Sequence, residues 1–307
     1  GVFIDIAVIT VAPIALAIGE RAGLSKSGIL LAMIGGGKAG NIVSPNPNTI
    51  AVTEAFKLDL TAVMMKNLIP ALCALIATIV LASLLAKKAG DGISQNDLEA
   101  TPAEKLPNAL QAFAGPLTVI VLLALRPLAK ISVDPLIALP LGGLVCILVT
   151  GNIRNLIPYT DFGLSKVIGV AILLIGTGTI AGIIKASALQ KDMTALLSAM
   201  NMPAFILAPL SGILMAAATA STTAGSTVAS QTFSGTLLAA GVPALSAAAM
   251  IHAGATVLDS LPHGSFFHAT GGSVYMDIKN RMKLIPFEAL IGLTSTIVAV
   301  ILYLVTA

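Results

Sequence analysis

Polar stretches interrupt the long apolar segments of this chain, and they carry the residues that could do chemistry. The first stretch is Ser44 to Thr49, in which two prolines alternate with asparagines. Each proline removes a backbone donor and disfavours helix at the residue before it, so a helix must open here. The helix that restarts points its free N–H groups and the positive end of its dipole at the gap. Asn46, Asn48 and Thr49 add neutral donors, and this set is suited to an organic anion.

A second opening and a run of hydroxyls have the same character. The segment Asp259-Ser-Leu-Pro-His-Gly-Ser265 contains a proline beside ionisable groups, and Ala220-Ser-Thr-Thr-Ala-Gly-Ser-Thr-Val228 is rich in hydroxyls and small residues. Such stretches let backbones approach closely and bind a carboxylate through N–H and O–H groups. Helix packing by small residues is the alternative for the hydroxyl run. The predicted substrate-binding residues are Asn46, Asn48, Thr49, Ser221, Thr222, Thr223, Ser226 and Ser265.

Ionisable groups in or beside the interrupted segments are few. A charge at membrane depth costs at least a few kcal/mol unless it is partnered, so these groups should face the protein interior. Asp259 and His263 are separated by one helical turn's worth of residues across a proline, and neighbours can adjust the pKa of both. We therefore predict Asp5, Asp259 and His263 as proton-coupling groups, while a hydrogen-bonded packing role is the alternative for each histidine. The full set is Asp5, Lys38, Glu54, His252, Asp259, His263 and His268.

The sequence does not support metal, nucleophilic or nucleotide chemistry. His263 and His268 lack the His-Glu-x-x-His pattern, and the chain has neither a Gly-x-Ser-x-Gly motif nor a phosphate-binding loop. We therefore expect no metal, no cofactor and no enzymatic activity. The net charge of +3 comes from short polar connections, which makes nucleic acid an unexpected partner.

Composition requires lipid as the solvent. Hydrophobic residues make up 56% of the 307 residues and charged residues only 10%, too apolar for one water-soluble globule. The apolar runs do not alternate as the strands of a β-barrel would, so an all-α, polytopic membrane protein is predicted. Candidate spans lie near 2–19, 29–56, 67–86, 113–129, 132–150, 167–184, 203–217, 243–275 and 287–306. Those at 29–56 and 243–275 are expected to be interrupted. The stretch from Lys166 to Met200 could be either a re-entrant hairpin or a full span followed by a surface helix.

The elements that carry the polar stretches recur at a spacing of 217 residues. Thr10-Val11-Ala12 returns as Thr227-Val228-Ala229, and Ala32-Met33-Ile34 returns as Ala249-Met250-Ile251. Broken helices at equivalent places of two repeats, expected to be inverted, are typical of secondary transporters. We predict that 1–86 is the C-terminal part of the first repeat, 87–111 a polar linker and 112–307 the second repeat. On this interpretation the chain is truncated at its start, and about 50 to 100 or more residues would precede it.

The motifs together resemble those of the gluconate permease family. The resemblance rests on Phe3 to Pro13, Ser44-Pro-Asn-Pro-Asn48, Gly176 to Ser187, Ala220 to Ala229 and Asp259-Ser-Leu-Pro-His263, and it covers nearly the whole chain. It implies a multi-pass symporter of the bacterial cytoplasmic membrane for gluconate, related sugar acids or small hydroxy acids. Members are grouped with the ion transporter superfamily, which implies inverted repeats and an elevator-like motion. The stretch Ser44 to Thr49 departs from the Pro-Pro-His-Pro-Gly-Pro typical of gluconate permeases, and Leu261-Pro-His263 is closer to the hydroxybutyrate branch.

The predicted function is therefore proton symport of a small hydroxylated monocarboxylate, such as a sugar acid or a hydroxybutyrate. A sodium-coupled di- or tricarboxylate carrier is the alternative within transport, and a membrane-embedded hydrolase or scaffold is the alternative from another class. The expected partners are the organic anion and the lipid bilayer, and a homo-oligomer is left open. Positively charged residues favour the cytoplasmic side. If the linker faces the cytoplasm, the residues that would also face it are Lys87, Lys88, Arg154, Lys166, Lys279, Arg281 and Lys283.

Overall fold

A computed structural model describes residues 4–87, 92–94, 97, 107–129, 131, 133–199 and 202–306, and within these ranges the protein is all-helical. The predicted fold class is confirmed at this level. The helices are α1 Ile4–Arg21, α2 Lys26–Asn41, α3 Pro47–Phe56, α4 Leu60–Lys66, α5 Leu68–Ala86, α6 Ala109–Ala129, α7 Pro135–Val149, α8 Leu156–Ala186, α9 Leu189–Ala199, α10 Leu207–Thr219, α11 Thr222–Ala239, α12 Ala244–Gly254, α13 Ser265–Gly272, α14 Ile278–Met282 and α15 Ile285–Thr306.

Two apolar segments among the described residues are long enough to cross a membrane by length and composition. They are Leu68–Ala86 and Ile278–Thr306. Four shorter apolar helices reach 10 to 17 residues: Ala109–Leu125, Leu136–Val149, Ala204–Thr219 and Ala244–Gly254. The predicted spans 29–56 and 243–275 are each divided into two helices, as their predicted interruptions required. Within 166–199, α8 continues without a break to Ala186 and α9 follows from Leu189. Whether this stretch is a re-entrant hairpin or a span followed by a surface helix stays a prediction.

The helices recur at the interval of the sequence repeat. The starts of α11 to α15 follow those of α1 to α5 by 217 residues or by one residue more. The chain opens at equivalent places, between α2 and α3 in the first copy and between α12 and α13 in the second. The division of the chain into two repeats joined by a linker, and their inversion, stay predictions. Most of the predicted linker, 87–111, lies outside the described residues.

Contacts divide the chain into two compact units. The first comprises Gly1–Glu99 and Leu174–Ala307, and the second comprises Ala100–Leu173. In the second unit α6 packs on α7, where Gly115 and Gly142 let the two backbones approach closely. In the first unit, helices of one copy pack on helices of the other. Helix α1 packs on α13, its equivalent α11 packs on α3, and α5 packs on α15. These contacts are therefore reciprocal between the two sets of equivalent helices.

The first unit holds two apolar clusters of buried residues. One cluster is formed mainly by α10, α11 and α12 together with α3, and Phe233 and Met250 lie fully buried in it. The other is formed mainly by α1, α2 and α5, around Leu30 and Ile34.

In the same unit, Lys26 donates a hydrogen bond to Asp97 at 2.7 Å. That bond holds the pKa of Asp97 below its ordinary value.

Glycines allow α10 and α12 to touch backbone to backbone. A Cβ at Gly212 would lie 2.3 Å from the carbonyl oxygen of Ile251, and one at Gly254 would lie 2.5 Å from that of Pro209. Both distances are far below van der Waals contact, and the atoms in the way are backbone atoms. The two helices therefore could not keep this separation with any larger residue at either position.

Gly212→Ala should destabilise the protein for this reason. Forcing the two backbones apart costs about 1–3 kcal/mol, the usual range for overpacking. Thermal unfolding of the detergent-solubilised protein should show a lower midpoint than the wild type. Gly235→Ala is the matched control, because a Cβ at Gly235 on α11 meets nothing within 4 Å. If both variants unfold together, close packing at Gly212 does not limit stability.

Candidate transport site

The first helix opening is organised by Asn46. This residue caps α3: its side-chain oxygen accepts hydrogen bonds from the backbone N–H groups of Asn48 at 2.9 Å and Thr49 at 3.2 Å. Its amide nitrogen donates to the carbonyl of Asn41 and to the hydroxyl of Ser44. The prolines open the chain as predicted, and Asn46 replaces the hydrogen bonds that the opening removes.

A second amide lies beside this cap with part of its hydrogen-bonding capacity unused. Asn48 donates to the side-chain oxygen of Asn41 at 2.9 Å. Among the described residues, the Nδ2 atom of Asn41 and the Oδ1 atom of Asn48 are buried without a partner. Thr49 uses its hydroxyl locally, donating to the carbonyl of Ser44 at 2.8 Å. The opening therefore presents one spare donor and one spare acceptor.

The hydroxyl run begins at a sharp break between α10 and α11. Ala220 adopts the left-handed conformation with φ +46°, which is rare for a residue other than glycine. Ser221 then caps α11 by accepting a hydrogen bond from the N–H of Ala224. The side chains of Thr222, Thr223 and Ser226 follow and are buried. A helix N-terminus with hydroxyls on its first turn is thus placed inside the protein.

The second helix opening, residues 255–264, meets this helix start. Gly264 packs directly on Ala220, where a Cβ at Gly264 would lie 2.6 Å from the carbonyl oxygen of Ala220. From the same opening Asp259 reaches the start of α11, and its Oδ2 atom accepts a hydrogen bond from the hydroxyl of Thr222 at 2.6 Å. The hydroxyl of Ser260 donates to Oδ1 of the same carboxylate at 2.9 Å.

The third partner of Asp259 comes from the other repeat copy. The ammonium group of Lys38 on α2 forms an ion pair with Asp259 and also donates to the carbonyl of Thr256. Both side chains of the pair are only 1% exposed. We call Lys38, Thr222, Asp259 and Ser260 the Lys38–Asp259 cluster. It joins one helix of the first copy to the opening of the second.

The charges of the cluster are balanced. Moving a single charge out of water costs several kcal/mol, and a buried pair offsets this only with good geometry and further hydrogen bonds. Asp259 meets that condition through hydrogen bonds from the hydroxyls of Thr222 and Ser260. Removing either charge would leave the other buried and unpaired.

The predicted site residues do not all gather at this cluster. Asp259 and Thr222 lie in it, and α3, which begins beside Asn46, packs on α11 and α12. His263 and Ser265 are exposed in this structure. Asp5 is half-buried, and its side chain accepts a hydrogen bond from the N–H of Ile6. Which of these residues touch substrate or proton stays a prediction.

The other two histidines differ in their surroundings. The Nε2 atom of the exposed His268 lies 2.8 Å from the carbonyl oxygen of Pro262. His252 is fully buried, and neither of its ring nitrogens has a partner among the described residues. In the described ranges no group of three or more His, Cys, Asp or Glu residues is placed to hold a metal ion.

Sequence reasoning missed two charged residues. Lys38 was counted among the few ionisable groups but was given no role, although its position in a buried helix signalled a partner. Arg281 was expected to face the cytoplasm in a basic loop. It lies 1% exposed in an ion pair with Glu288, and it donates to the carbonyl of Phe267 at 3.3 Å. The glutamate at the start of an apolar span was the available signal.

Comparison with known proteins agrees with a transport site. The chain is 57% identical over 303 residues to a protein of Haemophilus influenzae described as an uncharacterized transporter. The match covers 99% of this chain and 72% of that relative. No family model matches the chain. No solved structure matches it either.

This degree of identity over most of both chains establishes common descent and a common membrane-embedded fold. The prediction of a transporter rather than an enzyme is confirmed by the description of the relative. Its substrate and coupling ion are not part of that description. The chain therefore belongs to the same family of membrane transporters as the Haemophilus influenzae protein.

Proposed function

We propose that this protein is a secondary transporter of the gluconate permease family in the bacterial cytoplasmic membrane. Its substrate is a small hydroxylated monocarboxylate, such as a sugar acid or a hydroxybutyrate, and it moves with a proton. The buried ion pair between Lys38 and Asp259 is the observation that carries this proposal. The motif resemblance, above all Asp259-Ser-Leu-Pro-His263, supports the class of substrate.

Charge balance explains why a proton and a monocarboxylate would travel together. Without substrate, the ammonium of Lys38 and the carboxylate of Asp259 sum to zero in a buried site. A proton on Asp259 leaves the charge of Lys38 unpaired, and one substrate carboxylate restores the balance. Either ligand alone would leave one net charge away from water, which is costly. The site is therefore most favourable when it holds both the proton and the substrate, or neither of them. Binding both or neither is what symport requires.

The same balance selects against more highly charged substrates. A di- or tricarboxylate would bring at least one further negative charge, and the described part of the cluster offers no second cation. The side chains around Asp259 are hydroxyls, which suit a hydroxylated acid because each can donate and accept. Once Asp259 is protonated, the hydroxyls of Thr222 and Ser260 can turn to the substrate instead.

Five of the remaining predicted binding residues fall into two groups by location. Thr223 and Ser226 lie on the first turns of α11, directly after Thr222, and could reach substrate hydroxyls from there. Asn46 and Thr49 use their side chains to hold the opening before α3. Asn48, together with Asn41, offers the spare amide atoms of that opening. We propose that these two amides receive the far end of the substrate.

Uptake into proteoliposomes tests the function and its coupling. Full-length protein should accumulate labelled gluconate or 3-hydroxybutyrate when the outside is more acidic, and a protonophore should abolish the accumulation. Replacing sodium by potassium should change nothing, and succinate and citrate should not compete. Loss of uptake on sodium removal, with competition by citrate, would instead establish the sodium-coupled carrier.

A further inference from the structure

An open groove runs along the first repeat copy between α1 and α2. It has a volume of about 370 Å³, and its walls include Ala7 and Val11 from α1 and Met33, Gly36 and Gly40 from α2. A Cβ added at Gly36 or at Gly40 would meet nothing within 4 Å. The groove is therefore wide enough to accept further atoms beside the two helices, and its walls are mainly apolar.

The equivalent place in the second copy is filled by a helix. There α10 packs on both α11 and α12, the counterparts of α1 and α2. Its contacts fall at Gly225, where a Cβ would lie 2.5 Å from the Cα atom of Ala216, and at Gly254, 2.5 Å from the carbonyl of Pro209. The repeat interval relates Gly225 to Val8 and Gly254 to Gly37, and both of these residues line the open groove.

Exposure of equivalent side chains shows the same difference. Val228, beneath α10, is 1% exposed, whereas its counterpart Val11 is 45% exposed. Met250 is fully buried, whereas its counterpart Met33 is only partly buried. At these two positions the copies carry the same residue type, and it is more deeply buried in the copy with a covering helix.

We infer that a helix equivalent to α10 covers the α1/α2 groove in the full-length protein. It is supplied by the chain segment that the repeat interval places directly before α1. This segment should be apolar, with a small residue facing Gly37 as Gly212 and Pro209 face α12. Because Val8 stands where the second copy has Gly225, the covering helix lies farther from α1 than α10 lies from α11. The glycines at 36 and 40 leave room for it on the side of α2, while the side chain of Ile4 already lies against Gly37.

Cysteine accessibility in the full-length protein tests this inference. With Cys73 and Cys146 replaced by alanine, Gly36→Cys and Gly40→Cys are introduced singly, since neither side chain meets an obstacle. Gly235→Cys is the matched control, because it is also helical and has open space around its Cβ. In detergent solution the groove cysteines should react with N-ethylmaleimide at least about tenfold more slowly than the control, because a covered thiol is inaccessible.

A disulfide supplies the second arm of the test. A cysteine at the upstream position equivalent to Pro209 should oxidise with Gly36→Cys or Gly40→Cys, and peptide mass spectrometry should identify the link. Labelling as fast as the control, with no disulfide, would overturn the inference. Protection seen only in lipid nanodiscs would identify lipid as the occupant, and protection seen only after gluconate is added would identify substrate. Either result would also overturn it.

Discussion

Asp259→Asn should abolish proton-driven accumulation of substrate while leaving substrate exchange intact. Asparagine has the shape of a protonated aspartate but cannot release a proton, so the site stays in the form that binds a carboxylate on Lys38. Accumulation should fall to the level of empty liposomes, and exchange of labelled for unlabelled substrate should lose its dependence on pH. Both are measured in proteoliposomes, with and without an imposed proton gradient.

Two further variants separate coupling from general damage. Lys38→Met removes the cation that holds the substrate carboxylate, so uptake and exchange should both be lost. Glu54→Gln is the control for Asp259→Asn. It also removes one negative charge, but from a glutamate that is exposed on α3. It should leave uptake unchanged. If Asp259→Asn still accumulates substrate in a protonophore-sensitive way, the coupling proton binds elsewhere, and His263 and Asp5 become the candidates.

Arg281→Met should destabilise the protein by about 3–5 kcal/mol, the usual cost of removing one partner of a buried ion pair. Both members of the pair with Glu288 are 1% exposed. The guanidinium also contacts Thr270 at 3.3 Å, and it lies over the ring of Phe267 at 4.8 Å. One side chain therefore links α13, α14 and α15. Thermal unfolding in detergent should show a midpoint well below that of the wild type.

The double variant Arg281→Met with Glu288→Leu distinguishes an unpaired charge from lost packing. Removing both charges leaves no ion without a partner, so most of the stability should return. Lys283→Met is the control, because Lys283 is exposed and bonds only to Asn280 among the described residues, at 2.7 Å. If the double variant is as unstable as Arg281→Met alone, packing of the guanidinium rather than charge balance explains the loss.

Much of this architecture could be predicted from the sequence because its signals are local. Two prolines near Asn46 define an opening wherever they stand in a helix, and the 217-residue interval locates the second opening without knowledge of contacts. The starts of α1 to α5 and of α11 to α15 agree with that interval to within one residue. Hydrophobic windows identified the apolar segments, and the prolines within two of them indicated where each divides into two helices.

Pairing of charges could not be predicted in the same way. Lys38 and Asp259 are 221 residues apart, and the local sequence around either residue does not indicate that the other is its partner. Arg281 stands between two exposed lysines, so its local sequence resembles a solvated loop even though Glu288 holds it inside. The histidines were weighted by type, yet His263 lies exposed while His252 is buried. Burial depends on distant packing, which one sequence without relatives does not reveal.

Because helices of one copy pack on helices of the other, the first copy cannot complete its packing until the second has been synthesised. A ribosome delivers α1 to α5 to the membrane long before α11 to α15 exist, so each early helix waits for a neighbour not yet synthesised. Lys38 in particular must be sheltered by water or by the insertion machinery until Asp259 emerges. Shortened products that end before α12 should therefore be substrates for membrane quality control, because they carry a buried lysine without its counterion.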